Sequence, residues 1–261
     1  MRIVVTGATG RLGREVVGLI PNAISPSHEH LDITNSSQVL EVFSEIKPDA
    51  VIHLAALTDV RICQADKDLA WKVNVVGTEN VVRACEESDS HPLLIHASTP
   101  CIFSGNEGLY SEESKPNPKN YYGITKAEAE RMALAYSNSI VFRSNFVPRA
   151  KWPYTGAFVD RFGTYLFSDE IAYVVSQLLT FDIRGVVHIV GKEKLSMFEL
   201  ARITTPDVRP MSVRDIDLPL TIDMSMISKR IDAFSSNHSL DRPSNYLSFK
   251  INWISKTKFK N

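Results

Sequence analysis

A glycine-rich bend directly after the first apolar run constrains this chain more than any other feature. Arg2–Thr6 reads as a short strand. Thr6-Gly7-Ala8-Thr9-Gly10-Arg11-Leu12-Gly13 then leads into a segment where Leu12, Val16, Val17 and Ile20 recur at helical spacing. Glycines at such a bend allow a tight turn and let a phosphate approach backbone N–H groups. The helix N-terminus adds positive dipole to a pyrophosphate. The spacing is GxxGxxG rather than GxGxxG, and it predicts a Rossmann-type nucleotide site held by Gly7, Thr9, Gly10, Arg11, Leu12 and Gly13.

The rest of the first half agrees with a doubly wound parallel sheet, the α/β class in which strands alternate with amphipathic helices. A short strand is expected at Ala23–Ser25. Asn35 is placed to cap a helix carrying Val39, Leu40, Val42, Phe43 and Ile46, with Gln38 three residues on. Strands follow at Ala50–Leu54 and Leu93–Ala97, separated by a long helix from about Leu69 to Cys85. Residues 104–120 are rich in Ser, Gly, Asn, Pro and Lys and read as a loop. A helix over Tyr122–Tyr136 and a strand at Ile140–Arg143 come next. Past residue 145 the pattern weakens. A helix at Asp169–Leu179, a strand at Val186–Val190 and a capping box at Ser196–Glu199 are the remaining signals. The expected division is a nucleotide-binding domain over 1–145 and a small, irregular substrate lobe over 146–261, with about 165–190 returning to the first domain.

Two hydroxyls and one amine carry the chemistry. Tyr122 and Lys126 lie four apart at the start of a predicted helix, so both face one side, a turn apart. Reduction of a carbonyl needs a proton as charge develops on oxygen. A tyrosine whose phenolate is favoured by a neighbouring ammonium can supply it. The same lysine can hydrogen-bond the nicotinamide ribose. Tyr246 and Lys250 repeat the spacing but lie in the unassigned tail. Ala97-Ser98-Thr99 ends a strand at the edge where a parallel sheet presents ligands, so Thr99 is the candidate to orient a carbonyl against Tyr122. Ser98 reads as a turn cap.

The strand expected to place a carboxylate on the ribose ends instead in Ser25-Pro26-Ser27-His28. Without that repulsion a 2′-phosphate is admissible, and Arg11 could approach it, so NADP(H) is preferred weakly over NAD(H). The alternative is that Glu29 does the carboxylate's work.

With those elements in place, the chain resembles the extended short-chain dehydrogenases/reductases, and within them the dTDP-4-dehydrorhamnose reductase family. The resemblance rests on TGATGRLG at 6–13, LDIT at 31–34, KPDAVIHLAALTDV at 47–60, AWKVNVVGTENVVRAC at 70–85, HASTPCIF at 96–103 and YYGITKAEAE at 121–130. It implies that Asp32 and Ile33 meet the adenine and that Ala55, Ala56 and Thr58 line the dinucleotide cleft. It further implies a catalytic set of Thr99, Tyr122 and Lys126, with Asn74 structural or cofactor-supporting. The expected activity is NAD(P)H-dependent reduction of a 4-keto group on a nucleotide-linked deoxysugar. The chain departs from the family at Pro100-Cys101, where relatives carry Asp-Tyr. These residues cannot do a dehydratase's acid–base work. The substrate region is also shorter, and Arg143, Arg149 and Trp152, with Lys151 and Arg161 nearby, are the candidates to grip phosphates or stack a base. Two other readings stay open. One is a non-catalytic, cofactor-binding regulatory subunit, as in the β subunit of methionine adenosyltransferase. The other is an NAD-dependent sugar-nucleotide epimerase.

The 261 residues carry a formal net charge of −1, so no basic field recruits nucleic acid or an anionic membrane. No apolar stretch reaches the ~18–20 residues of a bilayer span. No leader is expected before the first strand, and Cys63, Cys85 and Cys101 match no metal spacing. A cytoplasmic protein without metal is expected, and a homodimer is left open.

Overall fold

The computed structural model describes residues 1–234; the Tyr246 and Lys250 pair lies outside the described residues. A five-stranded parallel sheet forms the centre, in the order β1 (Ile3–Thr6), β2 (Ala50–His53), β3 (Leu93–Ser98), β4 (Ser139–Ser144) and, after four short strands, β9 (Gly185–Ile189). Every residue of β1, β2 and β4 is buried, as expected of a parallel sheet covered on both faces. Beyond β1 the sheet is extended by a single bridge, Val4 to Ile24, so the strand expected at Ala23–Ser25 is reduced to one residue. Pro26 follows at once and ends it.

One face is covered by α1 (Arg11–Leu19) and by α7 (Ser168–Leu178), which packs on α1. The other carries α2 (Ser36–Ile46), α5 (Gly77–Glu87) and α6 (Tyr121–Ala135). Asn35 caps α2 by accepting from the Gln38 N–H, at 3.2 Å. The Gln38 side chain turns away from the cap and bridges the Asp32 N–H and the Glu29 carbonyl, fastening the preceding loop. The long helix expected from about Leu69 runs as α4 (Lys67–Trp71), one π turn over Lys72–Val76, and α5, with a further helix, α3 (Val60–Ala65), before it. The π turn presents Asn74, which is buried. It accepts from the Leu57 N–H at 2.7 Å and donates to the Leu57 carbonyl and the Thr125 hydroxyl, both at 3.0 Å. A single amide thereby ties the loop after β2 to α6.

The remaining short elements build the lobe. β5 (Phe146–Val147) pairs with β8 (Leu166–Phe167), and β6 (Gly156–Phe158) with β11 (Arg209–Met211). β7 (Phe162–Gly163) lies between β10 (Leu195–Ser196) and β12 (Asp223–Met224). Ser196 and Glu199 form the expected capping box at the start of α8 (Met197–Thr204). Leu200 and Ala201 of α8 pack with Trp152, Tyr165 and Met224 in an apolar cluster beside the sheet's C-terminal edge.

Candidate active site

The site begins at the bend after β1. Gly7 has φ +71°, and a Cβ there would lie 2.6 Å from the Ala55 backbone nitrogen. Only glycine combines that left-handed backbone with so close an approach to the loop after β2. The bend delivers the N-terminus of α1 with no side-chain cap and no acidic residue in its first turn. Its N–H groups are left for an anion. These features suit a dinucleotide pyrophosphate.

Two adjoining pockets open here. The larger, about 590 Å³, runs from Gly7, Gly10, Arg11, Leu12 and Gly13, past Ala56 and Thr58, to Thr99, Tyr122 and Lys126, and ends among lobe residues including Trp152, Arg161 and Tyr165. The smaller, about 500 Å³, is lined by Thr9, Ile33 and Ala55 with Ser25, Ser27, His28 and Arg14. Asp32 is absent from both linings; its carboxylate accepts from the Thr34 N–H in a local turn. Asn74 is likewise set back from the cleft.

Tyr122, Lys126 and Thr99 come together. Asn120 caps α6 by accepting from the Gly123 N–H at 2.8 Å. A Cβ at Gly123 would stand 2.2 Å from the Cys101 carbonyl oxygen, so glycine lets the first turn of α6 close onto the turn Pro100–Ile102. That closure brings the Tyr122 phenol beside Thr99 on the same cleft wall. Burial pushes the Tyr122 phenol well above its ordinary value, so it holds its proton. Burial pulls Lys126 down to about 8, against the opposing pull of Glu130. The ammonium donates to the Ala97 carbonyl at 2.7 Å and lies 3.4 Å from His96 Nε2.

Two of the expected substrate residues are placed elsewhere. Arg143 is buried between β4 and α6. It is paired with Glu130, stacked 5.2 Å from the Phe103 ring centroid, and near His188 Nε2 at 3.2 Å. Arg149 is buried against Asp169 (3.0 Å) and Glu170 (3.1 Å), over the Phe167 ring. Both guanidiniums are neutralised inside the fold, because a charge at a sheet edge under a covering loop needs a partner. Trp152 does line the cleft, but its indole N–H is committed to the Gly156 carbonyl at 3.0 Å.

The cation at the lobe end of the cleft is Arg161. Its Nε donates to the Thr221 carbonyl, while its terminal nitrogens face the thioethers of Met197 (3.6 Å) and Met224 (3.4 Å), which are weak acceptors. Met224 in turn lies 3.7 Å from the Cys101 thiol. Arg14 lines the smaller pocket, and Arg11 opens into the larger cleft instead. The signal for Arg14 was present in the sequence, one helical turn after Arg11. Tyr165 and Met224 had none, being brought in by the lobe. Ser98 is no turn cap: it donates to Glu130 at 2.7 Å, tying β3 to α6. The three cysteines are free and buried.

The RmlD substrate binding domain family matches residues 1–217. A dTDP-4-dehydrorhamnose reductase of Aggregatibacter actinomycetemcomitans is 30% identical over 227 residues, 77% of this chain and 76% of that one. The methionine adenosyltransferase 2 subunit beta of Xenopus tropicalis is 34% identical over 144 residues, covering 51% of this chain and 42% of that one. Among solved structures, the dTDP-4-dehydrorhamnose reductase of Bacillus anthracis in complex with NADP superposes with a TM-score of 0.75 at 25% identity, over 82% of this chain and 85% of that one. Among the described residues no helix is long and apolar enough to cross a membrane.

Proposed function

We propose that this chain, which belongs to the RmlD substrate binding domain family, works as an NAD(P)-dependent oxidoreductase of the extended short-chain dehydrogenase/reductase type, reducing the 4-keto group of a nucleotide-linked sugar. One observation carries the reading. Thr99, Tyr122 and Lys126 converge on the wall of a cleft whose other end is the glycine bend.

Gly7, Gly10, Arg11, Leu12 and Gly13 at the bend and Lys126 further along the cleft would hold a reduced nicotinamide cofactor, which when bound would supply the hydride. The chain's own groups do the rest. Thr99 and Tyr122 present hydroxyls to the carbonyl oxygen, and the buried phenol holds the proton that the developing alkoxide takes. Lys126, charged below about pH 8, stabilises the tyrosinate left behind. Cys101 and Pro100 offer no carboxylate beside the carbonyl, consistent with reduction and not dehydration. Arg161 is placed for the substrate's phosphates, in the role expected of Arg143 and Arg149.

The preference for NADP(H) draws on the smaller pocket, where Arg14, Ser25, Ser27 and His28 gather without an acidic side chain. Arg14 replaces Arg11 as the 2′-phosphate contact. The domain reading is one nucleotide-binding unit, 1–145 joined by 165–190, carrying a lobe. Pairing of two copies through the flank of α3, α4 and α6 draws on the exposed Ile62, Leu69, Trp71 and Ile124 there.

The regulatory-subunit reading draws on the likeness to the adenosyltransferase subunit. Oxidation of NADPH by the purified chain with dTDP-4-dehydrorhamnose, followed at the nicotinamide absorbance, separates the two. Turnover supports the reductase; tight cofactor binding without turnover of this or related keto-sugars overturns it.

A further inference from the structure

Beneath the cleft lies a pair of buried histidines that the mechanism above leaves unused. His53 on β2 and His96 on β3 occupy matched positions in the parallel register, with ring centroids 5.2 Å apart. Both are 1% exposed.

The hydrogen bonds around His53 determine its proton. The Thr78 hydroxyl gives its hydrogen to the Asn74 carbonyl at 2.7 Å, so at 3.1 Å it accepts from His53 Nε2. His53 Nδ1 then accepts from the Thr6 hydroxyl at 2.7 Å. His53 is a neutral imidazole with both nitrogens engaged, and burial keeps it so, at about 3. It has no proton to pass to its neighbour.

His96 is different. Its Nε2 lies 3.4 Å from the Lys126 ammonium, and its Nδ1 is buried with no partner among the described residues. An ammonium can only donate, so Nε2 must be the bare nitrogen and Nδ1 must carry the hydrogen. A buried N–H without an acceptor is costly, and a residue kept for packing alone need not carry one. Lys126 has three donors. One goes to the Ala97 carbonyl and one to His96, both on β3. The third is left for the cleft, where Tyr122 lies one turn earlier on α6.

We infer that His96 is a positioning residue for the proton-transfer machinery: its unprotonated Nε2 holds the Lys126 ammonium against β3 and aims the remaining N–H into the cleft. The inference rests on the reductase reading for its consequence and on geometry alone for its existence. The charged and titratable groups around Lys126 are few. They are His96 on β3, His53 on β2 and Glu130 on α6 itself, with Tyr122 one turn earlier on α6 facing Cys101 and Cys63. Glu130 is already engaged by Arg143 of β4. Removing the neutral acceptor destabilises the ammonium without changing the charge count.

The test has two arms. In the wild-type protein, long-range proton–nitrogen NMR of the histidine side chains, with His96 assigned by its loss in H96Q, is expected to show a neutral ring with hydrogen on Nδ1 from about pH 6 to 7, where Lys126 is charged. Hydrogen on Nε2 overturns the inference whether or not the protein turns over any sugar. In the second arm, kcat/KM for dTDP-4-dehydrorhamnose is profiled against pH. In H96L the alkaline limb moves down by about one pH unit, and in H96Q, which keeps an acceptor, it stays. An alkaline limb in a folded H96L identical to wild type overturns the inference, as does an H96Q shifted as far as H96L. If H96L does not fold, the NMR arm decides. Absence of turnover in the wild type would sink the reductase reading and leave the tautomer measurement intact.

Discussion

Arg143 on β4 donates to both carboxylate oxygens of Glu130 on α6, with Nε to Oε2 at 3.0 Å, and both side chains are 4% exposed. Ser98 donates into the same carboxylate from β3. Glu130 therefore links α6 to two neighbouring strands one turn after Lys126, and the link is part of what holds the helix bearing Tyr122 and Lys126 in place. Because the pair is out of water, losing one partner strands a charge. Glu130→Gln is expected to cost about 3–5 kcal/mol. For a chain of this size that is a fall in Tm of roughly 10 °C. Calorimetry with Tm unchanged would show the pair to be dispensable.

Tyr122→Phe keeps the ring's packing and removes the proton. The expected loss in kcat is on the order of 10²–10⁴, with the NADPH Kd within twofold of wild type by fluorescence titration. A variant that retains wild-type kcat would assign the proton to another group.

Activity should fall as pH rises through about 8, where buried Lys126 gives up its charge. The sign follows from burial: a low-dielectric site disfavours the ammonium, so the proton leaves earlier than from an exposed lysine. The charge that steadies the tyrosinate is present below that pH and lost above it. A kcat/KM profile flat to pH 10 would contradict this assignment.

Arg14→Ala should raise the NADPH Kd by roughly 10- to 100-fold while the NADH Kd barely changes. Arg11→Ala should not alter the ratio of the two. Titration of both variants with both cofactors checks the pair of statements, and a lost preference in the Arg11 variant alone would return the 2′-phosphate to Arg11.

Arg161→Met removes the cation at the substrate end and should raise KM for the sugar nucleotide by roughly 10- to 100-fold, with little effect on the NADPH Kd. If the KM of this variant stays at the wild-type value, the substrate's phosphates are held elsewhere.

Much of the site could be read before any coordinates. Tyr122, Lys126 and the glycine bend are local signals, each a fixed spacing within one strand–helix junction, and local spacing survives folding unchanged. Arg143 and Arg149 were misread because a basic residue after a strand looks alike whether it meets a ligand or a buried carboxylate. Their partners, Glu130 and Asp169, lie 13 and 20 positions away on other elements. Ser98 was misread for the same reason. Arg11 stands inside the motif and Arg14 one turn on, and only the direction of each side chain from α1 separates their two pockets.

The amino-acid sequence by itself determined the α/β class, the nucleotide bend and the Tyr–Lys pair, because strand and helix periodicity and near-neighbour spacing are properties of short stretches. The tertiary structure decided which charges face the ligand and which are consumed inside. It set Asn74 as a clamp on Leu57 and Thr125, and it put His96 beneath Lys126. Those relations join residues tens of positions apart. Burial and the need to pair each buried charge or donor select among them, and a linear pattern carries neither quantity.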